Sequence, residues 1–347
     1  MTPSRPAASH AVPSITVERL RLHLRHTFTI SRSSEDVAET VLLRLVADGI
    51  EALGESSPIS RYGESVELVE QLLGGINLSG IDPWHFDDTL DLLPADAYGA
   101  RCALDVALHD LAAKRLGIPA YQLLGLNPAR ALETSFTIGI ADIAKTIEKT
   151  KEACHLPILK VKLGGDKDVE TLEAIRSVYT GRIRLDANEG WTPEIAVASL
   201  QTIARFDIEF CEQPIPAGHP EQLRYVKEHS PIPIFVDEDS RTVADLARLH
   251  GCVDGINIKL VKCGGMRAAL AMIHAARALG MKIMIGCMIE SSVLATAAAH
   301  LTPLVDYADI DGPLLISDDP FVGVRYDGAQ LRLPDAPGLG VVRRPST

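Results

Sequence analysis

The alternation of apolar and polar positions divides the chain into two regions. In the first region it predicts strands at 15–24, 40–47 and 50–55 and helices at 67–73 and 97–116. Residues 27–34 and 56–65, which are rich in hydroxyl side chains, are predicted to be loops. Strands followed by helices are typical of an α+β domain, which we expect to occupy residues 15–125.

From about residue 132 the pattern changes to short apolar strands that alternate with amphipathic helices. Strands are predicted at 134–138, 159–162, 184–186, 210–212, 234–237, 255–259, 282–285 and 307–309. Helices are predicted at 168–179, 193–206, 220–229, 243–249 and 266–279. This pattern favours an α/β fold, a (β/α)₈ TIM barrel at 126–322. The last helix is poorly defined, and the Gly- and Pro-rich segment 323–347 is predicted to return to the first domain.

Composition narrows the classes of protein that fit. The 347 residues carry 34 basic and 46 acidic side chains, a net charge of −12, which argues against nucleic acid or an anionic membrane as the main partner. Residues 1–14 lack the apolar core of a signal peptide and are predicted to be a disordered tail. The six cysteines include no Cys-x-x-Cys pair, as is typical of reduced thiols in a cytoplasmic protein. A homo-oligomer is compatible with this composition.

Charged residues recur once per barrel unit, each at the carboxyl end of an apolar strand. Along the series Lys160, Asp186, Glu212, Asp237 and Lys259, the successive intervals are 26, 26, 25 and 22 residues. One βα unit of a barrel takes about 25–30 residues. Because the carboxyl ends of parallel barrel strands meet at one face, we expect these side chains to converge there.

Three of these residues are carboxylates, which predicts a metal site. Asp186, Glu212 and Asp237 would bring three negative charges together, and such a group needs a cation. Oxygen donors suit Mg²⁺, and no pair of histidines at ligand spacing lies near them to favour zinc. The alternative is that one or two of them only cap loops or pair with arginines.

The lysines on these strands predict proton transfer. Lys160 and Lys162 share one face of their strand, since side chains at i and i+2 point the same way. A lysine buried near another cation has a lowered pKa and becomes a base near neutral pH, whereas the alternative is two solvated lysines. Lys162 and Lys259 would face each other across the barrel, and an enediolate formed between them would be stabilised by Mg²⁺ and Lys160. Two bases on opposite faces imply racemisation or epimerisation. Lys262 is predicted to point elsewhere.

The motifs at these positions resemble those of a known family, the muconate-lactonizing subgroup of the enolase superfamily. They are Lys160-Val161-Lys162, Asp186-Ala187-Asn188, Glu212-Gln213-Pro214, Asp237-Glu238 and Ile256-Asn257-Ile258-Lys259 with Gly264-Gly265. The resemblance covers nearly the whole chain and implies a capping domain that closes a modified barrel. It implies Mg²⁺ on the three carboxylates and Lys162 and Lys259 as the pair of bases. It further implies that the barrel starts with an antiparallel pair of strands and lacks its final helix.

One position departs from the pattern of this family. The family usually has Ser after Asp-Glu, whereas this chain has the additional carboxylate Asp239 before Ser240. We assign the metal to Asp237 by its register with the strand, and Asp239 is the alternative ligand.

The segment after the eighth strand indicates the substrate class. Asp309-Ile310-Asp311, with the preceding residues 286–290, resembles the dipeptide epimerases, in which the aspartate pair holds the free α-amino group of the substrate. The implied substrate is a small dipeptide of the L-Ala-X type, inverted at the α-carbon of its C-terminal residue. Without the resemblance, Asp309 and Asp311 would be interpreted as turn residues before Gly312-Pro313.

The preferred side chain is left open by the sequence. Further candidate substrate-binding residues are Thr137, Met288, Arg32 and Arg61. Cations on the loops of the first domain, His26 among them, would receive an acidic side chain, as in L-Ala-D/L-Glu epimerases, unless they stay at the surface. An apolar pocket for a hydrophobic dipeptide would equally be formed by Phe28, Ile30 and Ile59.

Other functions remain as alternatives. An o-succinylbenzoate synthase, an N-acylamino-acid racemase or a cycloisomerase of the same superfamily is the nearest one. The first two act on substrates without a free ammonium group, which would leave Asp309 and Asp311 unexplained. A barrel without catalytic activity would bind a metabolite or a protein. A phosphate site at Gly264-Gly265 is less favoured than a turn.

Overall fold

The computed structural model of the chain describes residues 12–31 and 33–345. The predicted tail therefore falls almost wholly outside the described residues, and so does the candidate Arg32. In the part of the chain that the structure describes, no helix is long and apolar enough to cross a membrane.

The first region folds as a three-stranded antiparallel sheet packed on helices. Its elements are β1 (Ser14–Ile30), β2 (Ser33–Ala47), β3 (Ile50–Ser56), α1 (Val66–Gly74), α2 (Phe86–Leu90), α3 (Tyr98–Leu116) and α4 (Ala120–Leu123). The loop predicted at 27–34 is wrong, because β1 and β2 continue as a hairpin to Ile30 and Ser33. The hydroxyl groups that suggested a loop bond across the two strands instead, and Thr29 and Ser34 meet at 2.9 Å.

The second region is a closed barrel of eight parallel strands. They are β4 (Phe136–Ile138), β5 (Ile158–Lys162), β6 (Arg182–Asp186), β7 (Ile208–Glu212), β8 (Ile234–Val236), β9 (Gly255–Lys259), β10 (Lys282–Gly286) and β11 (Tyr307–Asp309). A parallel bridge between Thr134 and Ala308 joins the last strand to the first. The predicted barrel fold is thereby confirmed. The implied antiparallel first pair is wrong, because β4 and β5 run parallel and a helix crosses between them.

Helices surround the barrel. They are α5 (Ile143–Glu152), α6 (Asp168–Arg176), α7 (Pro193–Ile203), α8 (Pro220–His229), α9 (Val243–Leu249), α10 (Leu260–Cys263), α11 (Met266–Ala278), α12 (Ser292–Ala299) and α13 (Gly312–Leu315). The sequence pattern missed α5, whose apolar face is short. The helix after the eighth strand, α13, is a single turn of four residues.

The C-terminal segment runs back along the first region. Its strands are β12 (Phe321–Val322), β13 (Arg325–Asp327), β14 (Gln330–Arg332) and β15 (Val342–Arg343). Leu339 N donates to Asp110 Oδ1 of α3 at 2.7 Å, and Ala120 N donates to Gly338 O at 2.7 Å. These contacts agree with a segment that returns to the first domain, although the boundaries at 125 and 322 stay predictions.

The strand register places the predicted charges at one level of the barrel. Lys162 lies opposite Asp186 and Asp186 opposite Glu212 in neighbouring strands. Across the barrel, Gly286 lies beside both Lys259 and Asp309. The strands β5 and β9 are four apart in a ring of eight, so Lys162 and Lys259 stand on opposite sides of the mouth.

Candidate active site

Lys160 lies at the centre of the charged group inside the barrel mouth. Its side chain is buried, and its Nζ lies 2.6 Å from Glu212 Oε2, 2.8 Å from Asp309 Oδ2 and 3.2 Å from Asp186 Oδ2. These acids come from three different strands, so a single ammonium group joins β6, β7 and β11 through β5.

Lys162 and Lys259 flank this centre. Lys162 Nζ donates to Asp186 Oδ2 at 2.6 Å, and Lys259 Nζ lies 2.9 Å from Asp237 Oδ2. Both side chains are buried, with exposed fractions of 8% and 7% for the two residues. Each therefore enters the site from its own side.

The expected lowering of the lysine pKa is wrong for Lys160. Burial disfavours the ammonium form of Lys160, but the charges of Asp309, Glu212 and Asp186 outweigh burial and hold its pKa well above the ordinary value. Burial acts likewise on Lys259, and the charge of Asp237 raises its pKa. The prediction considered the repulsion between neighbouring lysines and left out the carboxylates that the fold brings next to them.

The carboxylates have well-defined partners of their own. Asp186 Oδ1 accepts a bond from Asn188 N at 2.9 Å, and Glu212 Oε1 accepts one from Asn257 Nδ2 at 2.7 Å. Burial opposes ionisation of Asp186, yet Lys162 and Lys160 lower its pKa to about 2. Burial instead raises the pKa of Glu212, since Lys160 offsets it only in part. One oxygen of each acid is thus fixed and the other faces an ammonium group.

The donor chemistry of this group fits a hard divalent cation. Asp186 Oδ2 and Glu212 Oε2 both converge on Lys160 Nζ, and Asp237 is close enough to add to the negative field at both acids. As the side chains stand, residues 12–31 and 33–345 contain no group of three or more His, Cys, Asp or Glu arranged to hold a metal ion. In this arrangement lysine ammonium groups lie among the three carboxylates and balance their charge.

Two residues occupy positions that the sequence did not predict. Lys262 does not point elsewhere, since its buried Nζ bonds to Asp237 Oδ1 and donates to Asn257 O at 3.1 Å. The single helical turn of α10 after Lys259 brings it back under the strand end. Asp239 faces away from the acids and accepts from Gln213 Nε2 at 2.8 Å and Gly218 N at 2.8 Å, which leaves Asp237 as the better candidate.

The aspartate pair after the eighth strand is buried at the barrel mouth. Asp309 Oδ1 accepts from the Ser135 hydroxyl at 2.6 Å, while its Oδ2 faces Lys160. Asp311 Oδ2 accepts from Thr137 N at 2.7 Å. Burial, reinforced by the charge of Asp309, raises the pKa of Asp311 to about 6. The two carboxylates therefore lie close enough to act on each other.

The other specificity candidates separate into two groups. Met288 reaches the site, with its Sδ 3.6 Å from Lys259 Nζ. His26 does not, because its ring pairs with Glu152 at 3.2 Å on an exposed surface. Arg61 lies on the loop after β3 and forms a two-bond ion pair with Glu189 rather than with the strand-end acids.

Comparison with known proteins agrees with this geometry. Residues 142–346 match the family described as enolase C-terminal domain-like, and residues 14–125 match the N-terminal domain of the mandelate racemase and muconate lactonizing enzymes. The chain belongs to the mandelate racemase/muconate lactonizing enzyme family. The resemblance in the motifs is thereby confirmed, and so is the expectation of an isomerase.

Members of this family with similar sequences are named as enzymes that act on dipeptides. The chain is 42% identical to an L-Ala-D/L-Glu epimerase from Bacteroides thetaiotaomicron, over 93% of this chain and 86% of that protein. It is 35% identical to a hydrophobic dipeptide epimerase from Roseobacter litoralis, over 92% and 96% of the two chains. A dipeptide epimerase from Cytophaga hutchinsonii, solved with Mg and D-Ala-L-Val, superposes with a TM-score of 0.89 at 30% identity, over 95% of each chain.

Within this family site, sequence reasoning assigned no role to Asn257 and Ser135. Asn257 lies two positions before Lys259 in the same strand, and Ser135 lies two positions before Thr137, next to the start of its strand. Each pair therefore shares one face. The rule that found Lys160 beside Lys162 would have found both. Gln213 and Glu189, which connect neighbouring loops, carried no comparable signal.

Proposed function

We propose that the protein is a Mg²⁺-dependent dipeptide epimerase that inverts the α-carbon of the C-terminal residue of an L-Ala-X dipeptide. The observation that carries this proposal is the arrangement of Lys162 and Lys259 on opposite strands, with the buried pair Asp309 and Asp311 at the strand that closes the barrel. The Mg²⁺ and dipeptides in related structures support it.

In this proposal the two lysines share one proton transfer. One lysine in its neutral form takes the proton from the α-carbon, and the electron pair of the C–H bond moves into the substrate carboxylate. A cation bound by Asp186 and Asp237 would offset the negative charge that favours the ammonium forms of Lys162 and Lys259. The ammonium group of the other lysine then gives a proton to the opposite face, which inverts the centre. Starting from the other enantiomer, Lys162 and Lys259 exchange these roles. The fixed positions of both amino groups on barrel strands support such a sequence.

Asp186, Glu212 and Asp237 would hold the Mg²⁺. When bound, the ion would supply positive charge that stabilises the negative charge developing on the substrate carboxylate. Lys160 adds a further fixed positive charge among the same acids, and its three contacts hold it in place.

Asp309 and Asp311 would receive the α-ammonium group of the first residue of the dipeptide. Two buried carboxylates suit a cation and would be costly beside an uncharged acyl group. This argues against the N-acylamino-acid racemase and o-succinylbenzoate synthase alternatives. For the second side chain, an apolar pocket that includes Phe28, Ile30 and Ile59 is one candidate, and the contact of Met288 with Lys259 supports an apolar side chain beside the base.

The test is a set of L-Ala-X dipeptides incubated with enzyme and Mg²⁺ in deuterated buffer and followed by mass spectrometry. We expect one deuteron to enter the C-terminal residue, with loss of exchange after chelation of the metal. N-acetylated dipeptides serve as the matched comparison and should exchange far more slowly. Exchange that favours the acetylated compounds would support the N-acylamino-acid racemase, and no exchange with any dipeptide would contradict the proposal.

A further inference from the structure

We propose that Arg61 and Glu189 form a positioning pair, which joins the loop of the capping domain to the barrel loop that supports Asp186. In this role Arg61 does not bind the side chain of the substrate. This inference rests on the proposed function for its catalytic consequence. Its structural part can be tested without any substrate.

The contact between the two side chains has the geometry of a strong ion pair. Arg61 Nε donates to Glu189 Oε2 at 3.0 Å, and its NH2 group donates to Oε1 at 2.8 Å. Parallel bonds of this kind fix the direction of both groups as well as joining them. The Glu189 side chain is only 12% exposed, so the pair is partly shielded from water although Arg61 is 41% exposed.

Glu189 also connects two barrel loops. Its Oε1 accepts a bond from Ala217 N at 2.9 Å, on the loop after β7, and its own N–H donates to Gln213 O at 2.9 Å. The carboxylate of Glu189 therefore lies between the loops that follow two candidate metal ligands, Asp186 and Glu212. Arg61 adds the capping domain to this junction.

The loop that carries Glu189 holds Asp186 directly. Asn188 N donates to Asp186 Oδ1 at 2.9 Å. Asn188 and Glu189 have φ angles of 45° and 67°, in the left-handed region that residues other than glycine seldom adopt. Such a backbone persists only where the surrounding contacts impose it. We infer that the bonds of Glu189 keep the loop in the conformation that aims Asn188 N at Asp186.

A second contact from the capping domain reaches the same loop. The Ser31 hydroxyl, at the tip of the β1–β2 hairpin, donates to Asn188 O at 2.9 Å. Two separate loops of the capping domain thus bind two of the residues that follow Asp186, namely Asn188 and Glu189. Closure of the cap and the position of this acid are linked through these contacts.

The ion pair also determines what Arg61 can do for substrate recognition. Its guanidinium charge is already balanced by a carboxylate in two bonds, so binding an acidic side chain would require that pair to break. The two roles make opposite predictions for Glu189→Gln. If Arg61 reads an acidic substrate, removing its competitor should improve turnover of such dipeptides. If Arg61 positions the loop, the same change should impair every dipeptide.

The activity experiment compares Arg61→Met, Glu189→Gln, the double variant and Arg44→Met. Arg44 is the matched control, because it pairs with Glu51 at 3.0 Å within the cap sheet. We expect each single variant to lose about tenfold in kcat/KM on acidic and neutral dipeptides alike, and the double variant to lose no more than either. An improvement of Glu189→Gln on acidic dipeptides, or a loss in Arg61→Met confined to them, would overturn the proposal.

A second measurement does not need a substrate. Trp191 is buried two positions after Glu189, and its indole donates to Asp168 Oδ2 at 3.1 Å. In a Trp84→Phe background it is the only tryptophan of the chain. Acrylamide should quench its fluorescence more strongly in Arg61→Met and Glu189→Gln than in the parent. Quenching in Arg44→Met should equal that in the parent. Unchanged quenching in Arg61→Met and Glu189→Gln would refute the structural link, whether or not any dipeptide is turned over. Absence of turnover in the parent enzyme would count against the proposed function alone.

Discussion

The barrel mouth and the loops of the capping domain hold their polar and charged residues by different means. At the mouth, Lys162, Asp186 and Glu212 are neighbours in strand register, so hydrogen bonds of the backbone set their spacing. On the cap, Arg61 and Ser31 are placed by side-chain contacts with a single barrel loop. Residues fixed by backbone register suit proton transfer, which tolerates little displacement, whereas the side-chain contacts of the cap suit the positioning of one barrel loop.

The sharpest test of this difference removes the amino groups of the barrel. Lys162→Ala and Lys259→Ala should each lose about 10²–10⁴-fold in rate, because a general acid or base contributes that much. Exchange of deuterium from one enantiomer should disappear in one variant and exchange from the other enantiomer in the second. Full activity of either variant in both directions would exclude a mechanism with two bases.

A smaller effect is expected at the strand that closes the barrel. Asp309→Asn and Asp311→Asn should each lower kcat/KM for free dipeptides by about 10- to 100-fold, since a bond to a charged group is worth about 1.5–3 kcal/mol. For Asp311→Asn the loss should be much smaller with N-acetylated dipeptides, which lack the ammonium group, whereas Asp309→Asn also removes a partner of Lys160 and should impair both substrate types. Asp327→Asn, on an exposed strand of the C-terminal segment, is the control. Equal losses for both substrate types in Asp311→Asn would assign Asp311 to structure.

The support behind Glu212 should affect metal binding more than chemistry. Asn257→Leu keeps the volume of the side chain and removes the 2.7 Å bond to Glu212 Oε1. We expect the affinity for Mg²⁺ or Mn²⁺ to fall by about tenfold or more, as for other groups that orient a ligand. Titration of the metal by calorimetry measures this, and an unchanged dissociation constant would remove Asn257 from the site.

The last expected effect concerns stability rather than activity, and it compares a contact between the two regions with a position inside one of them. Gly265 has φ +113°, and a Cβ there would overlap with Asp105 Oδ2. This oxygen accepts from Arg267 N at 3.2 Å and so caps α11 from the first domain. Gly63 has φ +76° and open space. Gly265→Ala should lower the free energy of unfolding by about 2–4 kcal/mol and Gly63→Ala by about 1 kcal/mol. Equal unfolding midpoints of the two variants in urea would show that Asp105 moves aside without a cost in stability.

The sequence by itself determined the architecture and the identity of the charged residues at its centre. Two short-range regularities were enough: alternation by two along a strand, which put Lys160 and Lys162 on one face, and the length of a βα unit, which put Asp186 and Glu212 at successive strand ends. Both are local properties of the backbone, and they hold wherever such a chain forms a barrel.

Only the tertiary structure decided which charges meet. Lys160 and Asp309 are 149 positions apart, and Arg61 and Glu189 are 128 apart. Over such distances the periodicity of neither segment says how side chains will pair, because pairing depends on the closure of the barrel and on how the cap rests on it. The raised pKa of Lys160, the contact of Lys262 with Asp237 and the capture of Arg61 by Glu189 all follow from that packing.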